Sequence, residues 1–148
     1  MGDILADYVD AGHNVILGVW CTYTIGNFLS GRIMDAGYSP VYSPDGSNLY
    51  ALSDYAGDGT TCLYSGVSAF SHTYRDNLAL QGEGVQDGSY TDGEIAAAYN
   101  ELGVVYVNGF PGEANIDWTT LIKNAACSCE GVIATESLNW SSLKSMYR

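Results

Sequence analysis

Val104-Val105-Tyr106-Val107-Asn108-Gly109-Phe110-Pro111-Gly112-Glu113, with Asp117-Trp118-Thr119-Thr120-Leu121-Ile122-Lys123-Asn124-Ala125 just beyond it, decides how this chain is read. Val104 to Val107 carry no charge and favour extended backbone, which predicts a short strand buried on both faces. Asn, Gly and Pro then impose a turn. The following segment predicts a helix over 116–126. Asp117 falls in its first turn, where a carboxylate meets the favourable end of the helix dipole. Ile122 and Ala125 sit at helical spacing behind Trp118 and Leu121.

Upstream, Asp3 to Gly12 predicts another helix. Ile4, Leu5, Tyr8 and Val9 share one face at a period of 3.6, and Gly12 suits the position after the last turn. Val15-Ile16-Leu17-Gly18-Val19-Trp20 is a second continuous apolar run and predicts a second buried strand. Both strands are expected at the centre of one sheet, as neighbours or near neighbours. From Thr22 to Thr61 the periodicity fades into Gly, Ser, Asp, Tyr and Pro, a stretch expected to be functional or to carry short strands. Leu63 to Phe70 is a short semi-apolar segment, and Ser71 to Asp76 reads as a polar loop. Short strands are expected at Leu78–Leu80, Val85–Tyr90 and Ile95–Tyr99, with turns at Thr91–Glu94 and Asn100–Gly103. Residues 131–148 form a polar tail, with a short amphipathic helix expected at Ser141–Tyr147.

The chain has 148 residues, enough for one domain with a real core. Hydrophobic residues make up 47% and charged ones 15%, a globular composition rather than a disordered one. Seventeen acidic residues against five basic ones give a net charge of −12. Such a surface repels phosphate backbones and anionic lipid, so neither nucleic acid nor a membrane surface is an expected partner. No apolar run approaches the ~18 residues of a membrane-spanning helix, and Met1-Gly2-Asp3 does not open a signal peptide. Few lysines, twelve tyrosines and eighteen glycines favour an extracellular or cell-surface location. Cys21, Cys62, Cys127 and Cys129 allow three fully paired connectivities. Cys127-Ser128-Cys129 has no second ligand pair and does not make a zinc site.

The turn at Phe110-Pro111 and the helix after it resemble the last strand, catalytic turn and last helix of the class I glutamine amidotransferase-like fold, where the turn reads roughly Phe-His-Pro-Glu. The segment Leu5 to Gly12 with the strand Val15–Trp20 resembles bacterial members carried by secreted or cell-surface proteins. Gly31-Arg32, Gly37-Tyr38-Ser39-Pro40, Gly66-Val67 and Thr73-Tyr74-Arg75-Asp76-Asn77 also fit that subgroup. The resemblance spans roughly Ile4 to Ala126. It implies a flavodoxin-like α/β domain over residues 1–130: a three-layer sheet with helices on both faces, plus a β-meander in the second half. That domain lacks the first strand and helix of the family, which implies an open sheet edge covered by a second copy or a companion polypeptide, burying roughly 1,000 Å² or more.

No histidine stands between Phe110 and Pro111, so the family's general base is missing from its place. The subgroup generally has no established activity, which implies a non-catalytic binding or assembly module. Two alternatives remain: a cysteine hydrolase and a self-assembling structural subunit. The hydrolase would use Cys21, which ends a buried strand, with His72 as base. His13 follows the helix-ending glycine and is read as a partner for the dipole. Tyrosines concentrate in the long middle segment, where large amphipathic rings suit a contact surface. Tyr23, Tyr38 and Tyr74, with Arg32 and Arg75 from the resembling motifs, are the candidate binding residues. Asp54 and Asp58 offer oxygen ligands, but their loop lacks EF-hand spacing, so no metal is expected. Asn139-Trp140-Ser141 has the form of a glycosylation sequon. No cofactor is implied.

Overall fold

A computed structural model describes residues 1–57, 61–113 and 116–126. In chain order the elements are α1 (Gly2–Asp10), β1 (Val15–Gly18), a 3-10 turn (Arg32–Met34), β2 (Val41–Tyr42), β3 (Asn48–Asp54), β4 (Ser71–Asp76), β5 (Ala79–Leu80), β6 (Val85–Gln86), β7 (Ala97–Tyr99), β8 (Val104–Val107) and α2 (Trp118–Ala126). The tail, with Cys127, Cys129, the sequon and the helix expected at 141–147, lies outside the described residues, as does Asp58.

All four residues of β8 are buried, as an uncharged run of β-formers requires. β8 pairs in parallel with β1, from Val15 opposite Val104 to Gly18 opposite Val107. β6, β7 and β8 are successive antiparallel neighbours, which gives the sheet order β1-β8-β7-β6. The two apolar strands are thus neighbours, but only β8 is internal. Among the described residues β1 ends the sheet, and its side chains alternate between buried and half-buried. Alternation along β8 sends Val104 and Tyr106 into one core with Ala6, Val9, Val15 and Leu17. Val105 and Val107 enter a second core with Tyr64, Phe70, Leu121 and Ala125.

The three-layer α/β sheet with helices on both faces is not what forms. Two α-helices are present among the described residues, strand outweighs helix, and the strands divide among one four-stranded and two two-stranded sheets. A parallel sheet grows through helical crossovers, and between β1 and β8 no described segment supplies a crossover α-helix. That length folds instead into antiparallel pairs, β2 with β5 and β3 with β4. β3 escaped the sequence reading because its burial does not alternate: Tyr50, Ala51 and Leu52 are all exposed.

α1 also turns its faces differently. Gly2, Ala6 and Val9 are buried, whereas Ile4 and Tyr8 are exposed. The small residues let the helix approach the segment before the 3-10 turn, where the Gly2 amide donates to the Ser30 carbonyl at 3.1 Å. Tyr8 stacks on His13 with ring centroids 4.3 Å apart, a role different from the dipole partner expected of His13. At α2, Asp117 caps the helix through Oδ1, which accepts the Thr120 amide at 3.2 Å. No helix among the described residues is long and apolar enough to cross a membrane.

Candidate functional site

β1 and β8 run in parallel and end side by side, so the turns after Gly18 and Val107 face a common edge of the sheet. Trp20, two residues beyond β1, has φ +73, which no other described non-glycine residue shares in sign. A left-handed Trp costs about 1–3 kcal/mol and persists only where its surroundings hold it. What holds it is Asp76, the last residue of β4. Oδ2 of Asp76 accepts the Trp20 amide at 2.8 Å, the Thr22 hydroxyl at 2.8 Å and the Tyr106 hydroxyl. Oδ1 accepts the Asn48 side-chain amide. Asp76 is fully buried, and burial raises its pKa although Tyr106, Thr22 and the Trp20 amide pull it down.

Asn108 ties the same strand to the main sheet. Its Oδ1 accepts the Asp76 amide at 2.7 Å, and its Nδ2 donates to the carbonyls of Asp76 at 2.9 Å and Ile95 at 2.8 Å. Every side-chain polar atom of this buried residue is therefore used.

Four residues before Asp76 on β4, His72 lies under the Gly-Phe-Pro-Gly-Glu turn. Its Nδ1 meets Glu113 Oε2 at 3.0 Å, while Nε2 is buried without a partner. Glu113 also accepts the Thr73 amide at 3.0 Å. Phe70, Tyr90 and Trp118 surround the imidazole, and Gly109 lies directly against it. Burial lowers the His72 pKa below its ordinary 6.5, with Arg75 adding to the effect and Glu113 opposing it. Burial raises the Glu113 pKa, but the bonds from His72 and Thr73 outweigh this and hold it below its ordinary value. Because the folded His72 is depressed, its stabilising contribution is complete above pH 6.5 and is lost as pH falls through the folded value. Denaturation midpoints measured on either side of pH 6.5 should fall on acidification. His72→Gln should flatten that slope; an unchanged slope in the variant would contradict the assignment.

The outer side of these turns carries aromatic rings. Trp20 packs on Phe110 at 5.0 Å and on Tyr74 at 6.3 Å, centroid to centroid. Tyr74 meets Phe110 at 6.1 Å and 87°, and Tyr50 at 5.7 Å and 84°. Tyr50 is 61% exposed and Tyr74 39%, while Trp20 and Phe110 are half-buried. Tyr23 lies close enough to Tyr50 to bond its hydroxyl and help raise its pKa, behind the larger effect of burial.

Of the candidate residues, Tyr23 and Tyr74 therefore belong to this surface. Arg32 and Tyr38 lie elsewhere, against the acidic side of α1: Arg32 pairs with Asp7 and Asp10 and donates to the Tyr38 hydroxyl at 3.0 Å. Arg75 faces away from the ring cluster and is fully buried. It forks onto Asp92 at 2.9 and 2.7 Å, donates to the Ala51 carbonyl at 2.7 Å and lies over the Tyr90 ring at 4.6 Å. It is an internal strut rather than a ligand contact. Neither ring nitrogen of His72 bonds to Cys21, so the Cys–His pair is not assembled, and His72 is not in a surface loop. The Cys21 thiol is free, half-buried and raised in pKa by burial and, less, by Asp76, both of which disfavour a thiolate. Cys62 is disulfide-bonded, so the four cysteines are not fully paired. Asp54 is exposed at the end of β3, and among the described residues no group of three or more His, Cys, Asp or Glu could hold a metal ion.

Sequence reasoning missed Asp76, Asn108, Glu113, Trp20, Tyr50 and Phe110. Periodicity carries no trace of the first three, whose partners lie far away in the chain; Tyr50 stood in the tyrosine-rich stretch without being singled out. No family model, no curated protein and no solved structure matches this chain.

Proposed function

We propose that this chain is a non-catalytic binding module of an extracellular protein, and that it binds through the surface made by Trp20, Tyr50, Tyr74 and Phe110. The observation that carries the reading is the cluster itself. Two tyrosines on β3 and β4 are left open to solvent beside Trp20 and Phe110, which stand on the turns after β1 and β8 that Asp76 and Glu113 tie to β4. Rigid aromatic side chains on an over-determined support give contact area at low entropic cost. A non-catalytic role is favoured by the burial that disfavours a thiolate at Cys21 and by the engagement of His72 with Glu113. The extracellular setting is favoured by the bonded Cys62, since disulfides persist in oxidising compartments.

Labelled protein applied to arrays of glycans and peptides tests the proposal. A discrete set of captured ligands is expected, with the signal lost in Tyr50→Ala/Tyr74→Ala while the unfolding midpoint stays close to the parent's. Capture that is indifferent to both tyrosines would sink it.

A further inference from the structure

We infer that the aromatic cluster receives a compact organic cation of the trimethylammonium type; this rests on the binding role proposed above and names the chemistry that role would use. The first reason is ring geometry. Tyr74 stands at 84° to Tyr50, 87° to Phe110 and 58° to Trp20. Rings so inclined share no plane on which a flat ligand could lie; they wall a corner instead. A cation is held when it lies within about 6 Å of a ring centroid. Centroid spacings of 5.0 to 6.3 Å allow one cationic centre to reach two rings at once.

The second reason is charge. The chain carries −12, and two carboxylates lie directly behind the rings: Asp76, bonded to the Trp20 amide, and Glu113, which accepts the Tyr74 amide at 3.5 Å. Glu113 is held ionised by its hydrogen bonds. Such a field draws cations and repels anionic ligands. The third reason is that the arginine–ring contacts among the described residues involve Tyr38 and Tyr90, so no described arginine lies over these four rings.

A trimethylammonium group occurs on free small molecules and on methylated lysine side chains. Choline and acetyl-trimethyllysine amide serve as probes for the two sources, and dimethylbutanol is the uncharged carbon isostere of choline. Ring-proton NMR of the intact chain follows each titration. At least one cation should bind with saturable shifts at Trp20, Tyr50, Tyr74 and Phe110, about tenfold more tightly than dimethylbutanol. Tyr74→Ala should weaken that binding about fivefold or more, and Tyr74→Phe, which keeps the ring, should largely retain it. Tighter binding of one cation identifies the source. Equal affinity for dimethylbutanol, or no shifts with either cation, overturns the inference. If the arrays still show Tyr74-dependent capture of uncharged ligands in that case, the binding surface stands and only the ligand class falls.

Discussion

Asp76→Ala is expected to cost about 4 kcal/mol, a large share of the roughly 5–15 kcal/mol that holds a domain of this size together. The carboxylate accepts four donors: the Trp20 amide, the Thr22 and Tyr106 hydroxyls and the Asn48 side-chain amide. Alanine would leave the Thr22 and Tyr106 hydroxyls buried without this acceptor and the Trp20 and Asn48 amides part-buried without it, and each orphaned buried group costs about 1–3 kcal/mol. The strained turn at Trp20 would lose its anchor at the same time. Asp76→Asn should lose less than half as much. Its carbonyl can still accept from Trp20, Thr22 and Tyr106, and a flip of the Asn48 amide can meet the new NH₂ group. It also removes a charge that burial disfavours. With a folded pKa above its ordinary 3.8, Asp76 contributes stability that is complete below pH 3.8 and lost as pH rises through the raised value. Asp76 and His72 therefore act in opposite directions on acidification. Denaturant unfolding of both variants checks this, and equal losses for Ala and Asn would contradict the donor count.

Gly109→Ala is expected to cost about 2–3 kcal/mol, through a single collision. A β-carbon there would lie 2.3 to 2.6 Å from three atoms of the His72 ring, to which Phe70, Tyr90, Trp118 and Glu113 leave no room to retreat. The backbone is not the obstacle, because Gly109 does not adopt a positive φ. Cost and cause can be separated by a double-mutant cycle. In a His72→Ala background, itself destabilised by the lost ring, the added cost of Gly109→Ala should nearly vanish. Strict additivity would mean that the glycine is needed for some other reason.

The same residues show what the sequence made legible. β8 and β1 announce themselves because an uncharged apolar run has few alternatives to a buried strand. The Asn-Gly-Phe-Pro turn and the helix behind Asp117 were readable from local chemistry alone. β4 was not. Ser-His-Thr-Tyr-Arg-Asp looks like a solvated loop, yet His72, Arg75 and Asp76 are fully buried, each met by a partner 17 to 56 residues away. Polar burial of this kind depends on pairings that no local window contains. The resemblance to amidotransferase-like domains failed on the layers, because it placed helices where this chain forms short antiparallel sheets. It did point to Tyr74, a residue of the ring cluster, while Arg75 beside it proved to be internal.

β4 is a hydrogen-bonded strand with buried polar side chains beneath the aromatic cluster, and native-state hydrogen exchange reads this residue by residue. The Thr73 amide donates to Glu113, the Asp76 amide to Asn108 and the Trp20 amide to Asp76. All three should exchange only with global unfolding, as slowly as Tyr106 in β8. Loop-like exchange at Thr73 and Asp76, with β8 still protected, would contradict the account.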